Sequence, residues 1–339
     1  MKQADFAPHL TRYLSHYLPV QRNLSSNTIK SYRDTFKLLL TYCRDVKGFR
    51  IDRLSINKLN KKCIEDFLEY LSNNRKYTET TYNQRLCAIH AFFDYLQMDT
   101  PEYMAICQDI LKIPSKTTPD KPATYLTATN LEHILIAPDA STRKGRRHLT
   151  ILVVLYDTAA RVSELADVQV RDVRLDFPAT ITFHGKGDKI RSVPLMKQTV
   201  ALLNDYFKEN GINPKIHYDM PLFWGAHRQK LSRSGITYIV NKYTDMARCE
   251  STDLPERISP HTFRHTKAMH LVQANVNTVY IKDLLGHANL STTECYAKAD
   301  NETKREVLEK AASRYNLPKP SAWEEDAELI TWLSNLGKS

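Results

Sequence analysis

The segment Pro114-Ser-Lys-Thr-Thr-Pro119-Asp-Lys-Pro122 divides the chain. Three prolines in nine residues fix φ, remove backbone donors and carry no apolar repeat, so neither a helix nor a sheet strand runs through them. The segment reads as an extended, semi-rigid, basic linker, and it obliges the chain to bury two cores instead of one. A chain of 339 residues is long enough for both. The predicted divisions are a helical domain at 1–113, the linker at 114–124, a second domain at 125–300 and a tail at 301–339.

Before the linker the apolar residues recur at helical spacing. Ile29, Tyr32, Phe36, Leu39 and Leu40 share a face of a helix capped by Ser26 or Asn27 and running to Asp45. Ile64, Phe67, Leu68 and Leu71 mark a second helix, and Thr78 opens a third that carries Tyr82, Leu86, Ile89, Phe93 and Leu96. Shorter helices are predicted over Phe6–Leu18 and Glu102–Leu111. The pattern is that of an all-helical bundle.

After the linker the pattern is mainly helical with one break. Helices are predicted at Asn130–Ala137, Arg146–Ala160, Lys197–Glu209, Gly235–Arg248, Thr262–Ala274 and Val276–Leu285. Between them, the β-prone runs Ala179–Phe183 and Lys189–Val193 flank the turn formers of Gly185-Lys-Gly-Asp188, which is the signature of a hairpin. The fold class expected is mainly α with a small β-hairpin or sheet in the second domain.

Charge narrows the partners. The formal net charge of +10 is shared, with 18 basic against 13 acidic residues in 1–120 and 30 against 25 in the remainder. Basicity spread over a whole chain favours a polyanionic partner, and nucleic acid is the leading one. Cys43, Cys63, Cys87, Cys107, Cys249 and Cys295 form no CxxC pair, have no His at zinc-ligand spacing and sit mostly in helical stretches, which points to a reducing compartment without structural disulfides. Asp5 and Pro8 interrupt any leader-like run, and the longest apolar run, Ile151–Tyr156, is far short of a membrane span. A cytoplasmic protein with no membrane partner is expected.

Four segments carry groups suited to phosphodiester chemistry: Thr158-Ala-Ala-Arg161-Val-Ser-Glu164-Leu165, Gly185-Lys186-Gly-Asp-Lys189-Ile-Arg191, His261-Thr-Phe-Arg264-His265, and Leu284-Leu-Gly286-His287 followed by Ser291-Thr-Thr-Glu-Cys-Tyr296. Cutting such a bond without a metal needs bidentate cations on the non-bridging oxygens, a nucleophile, and a proton donor for the leaving oxygen. Arg161, Arg264, Lys186, His261, His287 and Tyr296 make up that set, and no acidic cluster suggests the two-metal alternative. His261 and Arg264, three apart, share a helix face. Gly286 suits a helix C-cap immediately before His287, and Lys186 falls at a hairpin tip. Taken one at a time, each residue has an ordinary structural role to play. Their joint occurrence in one order carries the weight.

Residues 125–300 resemble the tyrosine recombinase, or phage integrase, family, which includes the Xer chromosome-dimer resolvases. The family's Arg-x-Ser-Glu-Leu segment, Gly-Lys-Gly-x-Lys-x-Arg hairpin, His-x-x-Arg-His segment, and Leu-Gly-His with Ser-Thr-Thr-x-x-Tyr all find counterparts in the four segments. Asn23–Tyr32 is similar to the start of the family's helical core-binding domain. Two departures stand out: Ala159-Ala160 where Gly-Leu is usual, expected to affect packing more than chemistry, and Lys298 where many relatives carry His.

The resemblance implies a helical core-binding domain and a recombinase catalytic domain that close on duplex DNA as a C-shaped clamp. It implies that Arg161, Arg264 and His287 bind the scissile phosphate and that Tyr296 attacks it, giving a 3′-phosphotyrosyl link. Lys186 then protonates the departing 5′-hydroxyl, His261 acts in acid–base exchange, and Glu164 holds Arg161. No cofactor, metal or ATP is implied. The partners are double-stranded recombination sites and sister copies in a homotetrameric synaptic complex; an accessory directionality protein is the remaining partner considered. In the tail, Asn301–Ser313 reads as a helix, and Trp323, Ala327, Ile330, Leu333 and Leu336 as an amphipathic helix that docks on its own domain or on a neighbour. The rival readings are a type IB topoisomerase and a DNA-binding protein without catalysis.

Overall fold

The computed structural model describes residues 5–118, 124–185, 190–225, 228–250 and 253–286. The chain falls into two compact units, Met1–Lys121 and Pro122–Ser339.

The first unit is built from helices α1 (Phe6–Arg12), α2 (Ser26–Asp45), α3 (Lys61–Arg75), α4 (Glu79–Asp99) and α5 (Met104–Leu111). Side chains cap three of them: Ser25 accepts from Thr28 N, Asn60 from Cys63 N and Thr78 from Thr81 N. Phe36 and Leu39 of α2, Ile64, Phe67 and Leu68 of α3, and Leu86, Ile89, Phe92 and Phe93 of α4 meet in one core. The Asp5 carboxylate ties down the entry to α1 by accepting from Ile56 N at 2.7 Å and from the Tyr103 hydroxyl at 2.6 Å. The helix expected through Leu18 changes character after Arg12, where Tyr13–Gln21 forms wider π turns around Pro19. Proline has no N–H to give to an α ladder, which explains why the regular helix does not continue.

The second unit surrounds a three-stranded antiparallel sheet, β1 (Val173–Arg174), β2 (Thr180–His184) and β3 (Ile190–Pro194), in that spatial order. Phe183 faces Arg191 and Ile181 faces Val193 across β2 and β3. Helices α6 (Ala128–Ile136), α7 (Arg143–Asp157), α8 (Val162–Asp167), α9 (Lys197–Asn210), α10 (Arg233–Arg248), α11 (Pro260–Gln273) and α12 (Thr278–Leu285) complete it. Leu152, Leu155, Ile181, Phe183, Val193, Leu203, Ile236, Val240 and Phe263 bring the sheet and helices into one core.

The main correction to the sequence reading lies at the end of α7. The expected helix ran to Ala160, but α7 stops at Asp157. Ala159 takes left-handed backbone at φ +48°, and a separate short helix, α8, starts at Val162. Two alanines give no local stop signal. Tertiary contacts impose one: both are fully buried, and the Ala159 carbonyl turns inward to accept a hydrogen bond. The remaining elements end close to their predicted limits, with Ser259 capping α11 ahead of Pro260 and Gly286 closing α12 at φ +60°. Among the described residues no helix is long and apolar enough to cross a membrane.

Candidate active site

Arg161 is the N-cap of α8, in extended backbone at φ −69°, ψ 147°. Its own amide donates to Glu164 Oε2 at 2.9 Å and its Nη1 donates to Glu164 Oε1 at 2.6 Å. One carboxylate three residues on therefore holds both the backbone and the head of the arginine. The Glu164 side chain is only 4% exposed, whereas Arg161 is 41% exposed. The pair thus has a buried anchor and a solvent-facing guanidinium that can still donate outward.

Arg191 of β3 supplies the second cation on Glu164, with Nη2 2.6 Å from Oε2. Its side chain is 11% exposed and lies 4.7 Å over the Phe183 ring. Nη1 also donates to the carbonyls of Thr158, at 3.4 Å, and of Leu284. Burial acts to raise the Glu164 pKa, but the Arg191 charge and the hydrogen bonds from Arg161 and Arg191 outweigh it and hold the carboxyl below its ordinary range.

Arg264, on α11, is almost fully buried. Its Nη1 donates to the Ala159 carbonyl at 2.7 Å and its Nη2 to the Leu285 carbonyl. The carbonyls of Leu284 and Leu285 belong to the last turn of α12, the negative end of the helix dipole, so Arg191 and Arg264 both cap that helix. Gly286 follows directly. A Cβ at Gly286 would lie 2.8 Å from Arg191 Cδ, and the backbone there is left-handed, so glycine is required on two counts. The chain passes from this capped turn straight into His287.

His261 and His265 stand one turn apart on α11 with ring centroids 4.3 Å apart, edge to face. Partial burial lowers the His261 pKa, and the charges of Arg264 and Arg161 lower it further. His261 is exposed on α11, and this lowering favours its neutral form, which is able to accept a proton. His265, pushed down to about 4 by burial and then by His261 and Arg264, is neutral as well.

Arg161, Glu164, His261 and Arg264 are thus brought together, from the first turn of α8 and from α11. Lys186, His287 and Tyr296 lie outside the described residues, as does the predicted tail. The β2 and β3 strands that flank Lys186 are paired up to His184 and Ile190. Arg191 is the residue that the candidate set missed. Period-two alternation could have found it: Arg191 shares its strand face with the buried Val193, while Ile190 is 65% exposed. The Ala159 departure also bears on the site and not only on packing, because its carbonyl is a ligand of Arg264.

The sequence profile of the phage integrase family matches residues 124–303, and that of the phage integrase N-terminal SAM-like domain matches residues 10–98. The chain is 35% identical over 336 residues, 99% of either chain, to y4rC of Sinorhizobium fredii, named as an integrase/recombinase. It is 30% identical over 285 residues, 83% of this chain and 91% of the relative, to the tyrosine recombinase XerD of Listeria monocytogenes. Among solved structures it is similar to the XerH site-specific recombinase bound to a palindromic difH substrate, with TM-score 0.68 and 22% identity over 86% of this chain and 81% of that one. The Tn1549 transposon integrase in complex with transposon right-end DNA gives TM-score 0.68 and 18% identity, covering 88% of this chain and 98% of that one. At these identities the structural likeness shows a shared fold.

Proposed function

This chain belongs to the phage integrase family, and on that footing we propose that it is a site-specific DNA recombinase of the tyrosine type. The observation that carries the reading is the convergence of a carboxylate-anchored, outward-facing Arg161, a buried Arg264 and a neutral His261. Two guanidiniums of fixed orientation suit the two non-bridging oxygens of a phosphodiester, and a site preorganised in this way stabilises charge as it develops on them.

In the proposed reaction Tyr296 attacks the phosphorus. A phosphorus–oxygen bond forms to the tyrosine, and the bond to the 5′ oxygen breaks. The 5′-hydroxyl leaves with a proton from Lys186, and the 3′ end stays on Tyr296. The neutral His261 accepts a proton on the nucleophile side, and His287 adds a hydrogen bond to the phosphate. Attack by the 5′-hydroxyl of a partner strand reverses the step. The phosphotyrosine conserves the bond energy, so rejoining draws on no external energy source. Glu164 and Arg191 are positioning residues, acting through Arg161 and the end of α12. Residues 1–113 serve as the core-binding domain, 114–124 as linker and 125–300 as catalytic domain, with four copies pairing two sites and the 301–339 tail docking on its own domain or on a neighbour.

The test is strand exchange. DNA ends covalently bound to the protein in cells are mapped and rebuilt as two marked duplex sites on one plasmid. Exchange of flanking markers supports recombination. Relaxation of supercoils without exchange contradicts it.

A further inference from the structure

The second unit holds another group of cations that the proposed reaction does not use. Arg143, Lys144 and Arg147 lie in the first turns of α7. With Asn210 at the end of α9, and with Trp224, Gly225 and Arg228, they line an open cavity of about 510 Å³. Among the described residues no carboxylate lines it. The nearby Glu209 carboxylate is already paired with Arg146, and Arg143 donates to the Glu209 carbonyl and to Asn210 Oδ1. Among the described residues Lys144 and Arg147 have no ion-pair partner, and Arg147 Nε is enclosed by protein without an acceptor. A Cβ at Gly145 would run into the Asp139 carbonyl, so the backbone at the mouth of α7, from which these side chains start, is packed tightly.

Unpaired cations around an open cavity call for an anion with several oxygens. The positive end of the α7 dipole adds to the attraction. The cavity is remote from the reacting centre: at 1.5 Å per residue, the start of α7 is roughly 20 Å from its Asp157 end, where the chain turns toward Arg161. A group bound here is therefore not the scissile phosphate.

We propose that this cavity is a second phosphate-binding site of the catalytic unit. Phosphate chemistry has two sources here, the backbone of a duplex or free inorganic phosphate, and only the first rests on the recombinase reading.

Two variants of the full chain test the site. Lys144→Glu reverses an exposed charge that makes no hydrogen bond among the described residues, so it leaves the fold intact. Lys144→Gln with Arg147→Gln removes both unpaired charges. Binding of a fluorescent duplex of about 30 base pairs and arbitrary sequence is followed by anisotropy between roughly 50 and 200 mM KCl. Inorganic phosphate is titrated separately at constant ionic strength, with the melting temperature as readout. If the duplex backbone is the source, the slope of log K against log salt becomes shallower by about 0.9 per contact, hence about 1.8 in the double variant. Lys144→Glu should then also weaken duplex binding. If phosphate raises the melting temperature of the wild type but not of the double variant, with the duplex slope unchanged, the source is free phosphate. If neither the slope nor the phosphate response differs between wild type and variants, the proposal is overturned. Tyr296-dependent attachment to DNA, measured on the same preparations, tests the recombinase reading independently.

Discussion

Replacing Glu164 with Gln probes the anchor of the site with almost no change in shape. The carboxylate receives three hydrogen bonds, from Arg161 N at 2.9 Å, Arg161 Nη1 at 2.6 Å and Arg191 Nη2 at 2.6 Å. Gln offers one carbonyl oxygen, and its amide nitrogen then faces an arginine that can only donate. The Arg191 charge stays buried while its countercharge is gone. Breaking a buried pair in this way costs about 3–5 kcal/mol, of which the bonds that Gln retains recover a part, so about 3 kcal/mol is expected. For a domain of this size each kcal/mol moves the melting point by about 2–4 °C, giving a fall of about 6–12 °C in the transition of the second unit. Arg161 keeps its charge but loses its fixed direction. The rate of covalent attachment to a nicked substrate should fall on the order of 10- to 100-fold, the range typical of groups that orient a ligand-binding side chain. Duplex affinity should change little, since no cation is removed. Calorimetry and single-turnover gel assays read the two effects. A variant that melts within about 1 °C of wild type and attaches at the same rate would refute the anchor role, because the buried charge would then have no need of its partner.

Other outcomes follow from the same geometry. Gly286→Ala puts a Cβ 2.8 Å from Arg191 Cδ in left-handed backbone and should destabilise by about 1–2 kcal/mol or more; an unchanged denaturation midpoint would show that Arg191 is not packed there. Lys186→Ala should slow attachment on the order of 10²–10³-fold and be rescued by a 5′-bridging phosphorothiolate, whose sulfur leaves without a proton, whereas Arg161→Ala should not be rescued; equal rescue of both would contradict the division of roles. Stability should also fall with acid. His148 and His265 are each pushed down to about 4, first by burial, so the unfolded chain binds their protons more readily. Their contribution is complete above the ordinary value near 6.5 and is lost as pH falls from there toward about 4, at up to about 1.4 kcal/mol per pH unit for each histidine. Flat stability between pH 7 and 5 would contradict their neutral burial.

Much of this was legible in the sequence because the relevant signals are local. Periodic helices such as the one that Thr78 opens declare themselves, as does the hairpin around Gly185 and the glycine that ends α12. Arg161, Glu164, His261 and Arg264 sit in short segments whose spacing already places them on turns or on one helix face. The missing parts depend on long-range contacts. Nothing near Ala159 announces a left-handed residue, because the partner that fixes its carbonyl, Arg264, is over a hundred residues away. β1 is two residues long, too short to show a period. Arg191 looks like one more charge in a basic hairpin until its partners are known: a carboxylate on α8 and carbonyls from the α7–α8 turn and the end of α12.

The central claim is that Tyr296 is the nucleophile, and attachment to DNA tests it most directly. Wild-type and Tyr296→Phe chains are incubated with a nicked duplex carrying a mapped site, so that the cleaved fragment diffuses away and the adduct is trapped. They are then resolved under denaturing conditions, and the adducted peptide is sequenced by mass spectrometry. The account predicts an adduct in the wild type, linked through Tyr296 to a 3′-phosphate, and none in a Tyr296→Phe protein that still binds the duplex. An adduct that persists in the variant, or that maps to another residue such as Tyr280, would contradict it.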